Sequence, residues 1–177
     1  MVCGLKGFVV PTEIRPLLLL LDAAKESVAS HGGGPVCEAC LYPGSEISLD
    51  YCGPGSCGCK DADGMLMLQV NSVYMYTSFG RSMEGEATQC GTSMAASCTL
   101  GVMRCVDGIG DQGDLPSCEL LLDASMRQFA DMRAMLRAMT CTPGIEVLVG
   151  RYTSEGPDGG CVGGSWTFDI ALEEGLP

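Results

Sequence analysis

The chain has 177 residues, with Lys plus Arg 10, Asp plus Glu 22 and a formal net charge of −12. That length argues for one domain able to bury roughly 70% of its unfolded surface, and the acidic balance argues against a nucleic-acid binder or a polybasic membrane-surface protein, since both need a basic face. Charged residues are only 18% against 46% hydrophobic, which excludes a disordered acidic tail, and a single His removes most zinc-hydrolase layouts.

Residues 1–15, with Gly4, Gly7 and Pro11, read as an N-terminal arm, residues 16–172 as one domain, and residues 173–177 as a C-terminal tail. Pro16 suits a helix first turn. Leu17, Leu18, Leu21, Ala24 and Val28 then recur at helical spacing to about Ser30, where Gly32, Gly33, Gly34 and Pro35 stop the helix. The apolar run Leu17 to Leu21 is too short for a signal peptide or a bilayer span, so neither is expected.

Ile47, Leu49 and Tyr51 alternate with polar residues and predict a short strand, and Cys52 to Gly64 reads as a turn region. Met65 to Tyr76, with Leu66, Leu68 and Val70 in phase, predicts a central strand. Ser78 to Ser97 lacks a clean period and predicts a long loop. Thr99 to Val106 predicts another strand, and Asp107 to Leu115 a linker.

Asp114 and Pro116 signal a second helix running to about Met139. Leu122, Met126, Phe129, Met132, Leu136 and Met139 form a stripe expected to face the core. On the other side Arg127 is four residues from both Asp123 and Asp131, a spacing for surface ion pairs. Pro143 and Gly144 end the helix. Ile145, Val147 and Val149 lead to Tyr152. Trp166, Phe168, Ile170 and Leu172 alternate with Ser165, Thr167 and Asp169, the cleanest period of two in the sequence. The order helix, three strands, helix, two strands predicts an α+β fold. Its sheet should have four to five mainly antiparallel strands, with one face polar and the other covered by two helices.

Candidate chemistry is sparse. Gly91-Thr92-Ser93-Met94-Ala95-Ala96 copies the nucleophile box of subtilisin-like serine proteases, and His31 precedes Ser93 in the required order. That box needs a helix behind the nucleophile and Pro after the second Ala. Here Ser97 follows, a strand is predicted, and Asn71 lacks an oxyanion context, so the segment reads as a polar loop. His31 is assigned only a favourable place at a helix end.

Twelve cysteines are many for a reduced cytosolic protein. Cys37-x2-Cys40 and Cys57-x-Cys59, with Cys52 nearby, offer four thiolates to a structural zinc, though disulfides or free thiols suit the spacing better. Cys98, Cys105, Cys118 and Cys141 read as core residues, and Cys161 as a disulfide candidate.

The glycine loop 156–164 has strands on both sides and no following Lys, so it reads as a tight hairpin or a close backbone approach, not a phosphate cradle. Asp61-Ala62-Asp63-Gly64 begins like a calcium loop without its closing Glu. No catalytic, cofactor-binding or metal-binding residue is assigned.

Three segments carry a resemblance. The stretch from Gly150-Arg151-Tyr152 through Gly156-Pro157-Asp158-Gly159-Gly160-Cys161-Val162-Gly163-Gly164 to Trp166 resembles the closing segment of tail terminator (head-to-tail connector) proteins of long-tailed phages infecting actinobacteria. Gly101-Val102-Met103-Arg104-Cys105 is similar to a strand of that family, and Ala130-Asp131-Met132-Arg133-Ala134-Met135 to one of its helices. Together they reach from about Leu66 to Leu172. The departures lie in Cys37 to Cys59 and in Gly91 to Ser97.

The resemblance implies a non-enzymatic virion protein with a lambda-type tail terminator fold. Such a protein forms a homohexameric ring on the last ring of the tail tube. There it ends polymerisation and joins the tube to head-tail connector or stopper proteins, with DNA passing through the lumen. The implied partners are sister copies, the tail tube protein and the connector. The implied place is the neck of the virion, after assembly in the host cytoplasm, with neither membrane association nor sequence-specific DNA binding. Glu84, Glu86, Asp107, Asp111 and Asp114 are expected to help keep such a lumen acidic, since like charge keeps DNA from sticking. Another neck, connector or minor tail protein is the nearest alternative, and a serine hydrolase using Ser93 and His31 the remotest.

Overall fold

A computed structural model describes residues 11–44, 63–78, 81–82, 93–106, 117–158 and 161–172. Among them are two α-helices, α1 (Arg15–His31) and α2 (Cys118–Cys141). Six strands accompany them: β1 (Glu38–Pro43), β2 (Met65–Ser78), β3 (Arg81–Ser82), β4 (Ser93–Cys105), β5 (Val147–Asp158) and β6 (Cys161–Ala171). The fold is α+β. The strands form one mixed sheet of order β1-β2-β4-β6-β5, with the short β3 attached to β2.

The local signals explain the helices. Pro16 occupies the first turn of α1, where its missing N–H costs nothing. Pro16, Leu17, Leu20, Leu21, Ala24 and Val28 are buried along one stripe. Ser117 caps α2, its hydroxyl oxygen accepting from the Leu120 N–H at 3.3 Å. After Cys141 the Thr142 N–H closes on the Ala138 carbonyl, and Gly144 takes a φ of +80° to turn the chain toward β5.

One face of the sheet packs on both helices. Leu66, Leu68, Cys98, Leu100, Val102, Phe168 and Ile170 meet the buried stripe of α1 and the residues Ala134, Met135, Ala138 and Met139 of α2. The Ser27 hydroxyl donates to the Ala134 carbonyl at 2.8 Å and ties the two helices together. Among the described residues no helix is long and apolar enough to cross a membrane.

Several expectations are corrected. The expected strand at 47–51 lies outside the described residues. The first described strand is β1, and it pairs with β2 in parallel while the other pairings are antiparallel. β2 continues to Ser78 and β4 begins at Ser93, so strands occupy both ends of the expected 78–97 loop. Ala95 and Ala96 are fully buried there: small residues carry too little hydropathy contrast to mark a strand. The helix-free face is not uniformly polar either. Met65 and Met67 alternate with Leu66 and Leu68, so β2 is apolar on both sides, and they form a second buried cluster with Met103 and Cys161. Residues 1–10 and 173–177 lie outside the described residues; of the expected arm, Thr12–Ile14 is a single 3-10 turn leading into α1.

Cys98 sits in the centre of the main core and is a free thiol. Burial, reinforced by Asp169, pushes its pKa up to about 12. The folded state therefore favours the protonated thiol, and stability is lost as pH rises above the ordinary thiol value of about 8.5. Urea unfolding followed by Trp166 fluorescence should show a midpoint that falls as pH climbs toward about 12, and Cys98→Ala should flatten that fall. An identical pH slope in the variant would contradict the assignment.

Candidate functional site

Among the described residues the densest polar arrangement is built on Arg104, near the end of β4. Arg104 is 5% exposed and Asp131, in the middle of α2, is 3% exposed. The Arg104 Nε donates to Asp131 Oδ2 at 2.7 Å and its Nη2 to Oδ1 at 3.0 Å, a two-pronged contact that a planar guanidinium makes and an ammonium cannot. Nη2 also donates to the Gly34 carbonyl at 2.7 Å, and Nη1 to the Asp63 carbonyl at 3.1 Å and to the Asp63 carboxylate. The Gly33 N–H donates to Asp131 Oδ1 at 2.7 Å. One side chain thus joins the end of α1, the approach to β2 and the middle of α2. Burial alone would lower the guanidinium pKa, but Asp131 and then Asp63 outweigh it and hold it above its ordinary value.

Beside this clamp lies a cavity of about 140 Å³ between the first half of α2, the end of β4 and the β5–β6 hairpin. The Gln128 amide donates to the Gly163 carbonyl across it. Tyr152 packs at a tilt on Trp166 with ring centroids 5.3 Å apart, and the Trp166 Nε1–H donates to the Met132 carbonyl at 3.0 Å. The Tyr152 hydroxyl lies against Gly164, where a side chain would clash. Burial, with help from Asp131 and Glu155, pushes its pKa up to about 12.

α2 meets the sequence expectation only in its second half: Met139 is buried and Leu136 packs half-buried on the core, while the first half differs. Its buried residues are Asp131, Ala134, Met135, Ala138 and Met139. Leu122, Met126 and Phe129, expected in the core, are 62%, 65% and 61% exposed. The cause is Asp131: a carboxylate bound by Arg104 has to face inward, and Leu122, Met126 and Phe129, nine, five and two positions upstream, then lie on the far side of the helix at about 100° per residue. The expected ion pair of Arg127 with Asp123 forms at 3.0 Å, but the second partner of Arg127 is Asp63 at 3.4 Å, while Asp131 turns inward. These three side chains leave an exposed apolar strip on the outward side of α2.

The residues singled out for chemistry are scattered. Ser93 opens β4 as a strand, without the helix that a nucleophile box requires. Arg104 stands at the other end of β4, roughly 35 Å away at ~3.3 Å per residue. His31, at the end of α1, is tethered to that far end through Gly33 and Gly34. Ser93 and His31 are not brought together, and Asn71 is spent on a 2.9 Å hydrogen bond to the Thr99 hydroxyl.

Cys37 is disulfide-bonded and so has no thiolate to give a zinc ion; Cys52, Cys57 and Cys59 lie outside the described residues. Cys161 is disulfide-bonded as expected. Cys105, expected as a simple core residue, is disulfide-bonded too, and Cys118 and Cys141 are exposed at the two ends of α2. Asp63 of the calcium-like segment is engaged by Arg104 and Arg127. Among the described residues no group of three or more His, Cys, Asp or Glu side chains could hold a metal ion. Glu84, Glu86, Asp107, Asp111 and Asp114 lie outside the described residues. No protein-family model and no curated protein matches the chain.

Removing one side of a buried ion pair leaves the other charge stranded, at a cost of about 3–5 kcal/mol. Arg104→Met should lose that much in urea unfolding. Asp63→Ala, whose side chain is 35% exposed, should lose about 1 kcal/mol or less. The double variant Arg104→Met with Asp131→Leu should lose clearly less than the sum of its single changes. A loss below about 1 kcal/mol for Arg104→Met would show that the clamp is not structural.

Proposed function

We propose that this chain is a tail terminator: a structural subunit that assembles as a ring, most simply a hexamer, at the head–tail junction of a long-tailed phage. The ring caps the tail tube, ends its polymerisation and presents a surface to the head connector, with DNA crossing its lumen. The subunit performs no chemistry in this role; it works by shape and by contacts with sister copies, tube protein and connector.

One observation supports the reading above the rest. The three segments that carry the resemblance are remote in sequence but contiguous in space. Arg104 of the first is bound to Asp131 of the second, and Trp166 of the third donates to Met132 of the second. Gly163 of the third packs on Met103 of the first. A resemblance by chance would be free to scatter over the fold. The α+β architecture is also the one the resemblance implies. Disulfide-bonded Cys37, Cys105 and Cys161 suit a particle that persists outside a reducing cell.

Polymerising the cognate tail tube protein with and without this chain tests the proposal. Tubes capped by the chain should stop growing and carry a terminal ring in negative stain, while uncapped tubes should grow to uncontrolled lengths. Equal tube lengths in both reactions, with no ring at the tube end, would overturn it.

A further inference from the structure

The clamp leaves one polar group over. The Tyr152 hydroxyl oxygen is buried without a hydrogen-bond partner among the described residues, and Tyr152 lines the cavity of about 140 Å³ beside Arg104. Its ring is held by the contact with Trp166, and its hydroxyl lies against Gly164, which has no side chain to displace it. The neighbouring donors are already engaged. Arg104 is held by Asp131, Asp63 and the Gly34 carbonyl, Arg127 by Asp123 and Asp63, and the Gln128 amide by the Gly163 carbonyl. A buried hydroxyl left unpaired is costly, so its partner is to be sought in what fills the cavity. Water suits the space poorly. Val102, Leu120, Ala124 and Val162 make part of the wall apolar, and a buried water needs about two to four polar partners. An apolar cavity of ~150 Å³ takes a molecule the size of benzene.

We infer that this cavity binds a small neutral carbonyl compound of the size of a single ring, such as a lactam, whose oxygen accepts from the Tyr152 hydroxyl. The hydroxyl sets the need for an acceptor. Burial, then Asp131 and Glu155, keep it protonated at neutral pH, so it offers a hydrogen and no charge. The lining sets the charge of the ligand. Asp63, Asp123 and Asp131 outnumber Arg104 and Arg127 there, so an anion is repelled. A cation without an acceptor oxygen would leave the hydroxyl as unpaired as before. The apolar walls set the rest, since a ring displaces water that they hold badly. The ligand lies between the first half of α2, at Ala124, and the β5–β6 hairpin, at Val162. The site stands apart from the ring reading above, and tube capping is indifferent to it.

Trp166 is the only tryptophan of the chain and touches Tyr152, so its fluorescence reports on the site. Titration of the purified chain with 2-pyrrolidinone should change that emission saturably, with a Kd on the order of 1 mM for so small a ligand. Tyr152→Phe, which removes only the hydroxyl, should weaken binding at least tenfold. Ala124→Phe, which fills the cavity from α2, should abolish it, with circular dichroism confirming that the variant is folded. Pyrrolidinium, a cation without the carbonyl, and pyroglutamate, the same lactam carrying a carboxylate, should give no saturable change. The absence of a saturable response to 2-pyrrolidinone well above that concentration would overturn the inference. So would equal affinity in Tyr152→Phe, or binding of pyroglutamate as tight as that of the neutral lactam.

Discussion

The pairing of Arg104 with Asp131 is the constraint around which the rest of the molecule is arranged. A guanidinium held between a helix carboxylate, a backbone carbonyl at the end of α1 and the carboxylate of Asp63 fixes three separate stretches of chain. Taking such a pair out of water gains little net stability by itself, because desolvation offsets most of the attraction. What it imposes is position. With Asp131 turned inward, α2 has one rotation about its axis, and small residues such as Ala134 and Ala138 bring it close to the sheet and to α1.

That rotation sets the character of the surface. The large apolar residues of the first half of α2 are left outside, where a monomer gains nothing from them. α2 thus carries small residues inward and Leu122, Met126 and Phe129 outward. The cavity beside the clamp and the β5–β6 hairpin complete a rigid mount, since Gln128 and Trp166 fasten the hairpin to the same helix. Contacts between preorganised surfaces cost little ordering entropy, so such rigidity would suit the proposed ring subunit.

Much of this was legible in the sequence, unevenly so. α1 was readable because Pro16 and the glycines after His31 bracket one apolar stripe. β6 was readable because Trp166, Phe168 and Ile170 alternate with polar residues. β1 was missed because a short strand at a sheet edge, carrying Cys40 and Pro43, has little periodicity, and its parallel pairing depends on a remote segment. The start of β4 was hidden by Ser and Ala residues. The face of α2 is legible only in its second half, where Met139 is buried and Leu136 packs on the core; upstream, Leu122, Met126 and Phe129 carry the same apolar period to the outside, so the period alone offers two inward faces. Only the destination of Asp131 decides between them, and its partner Arg104 lies a linker away. The three resembling segments contained both residues without showing that they touch.

The proposed place of this subunit is a ring at the junction of head and tail. Cryo-electron microscopy of the intact virion neck tests it most directly. If the proposal holds, this chain forms a single ring between the last tube ring and the connector. Density for the chain elsewhere in the particle, or no density for it at the neck, would refute the proposal.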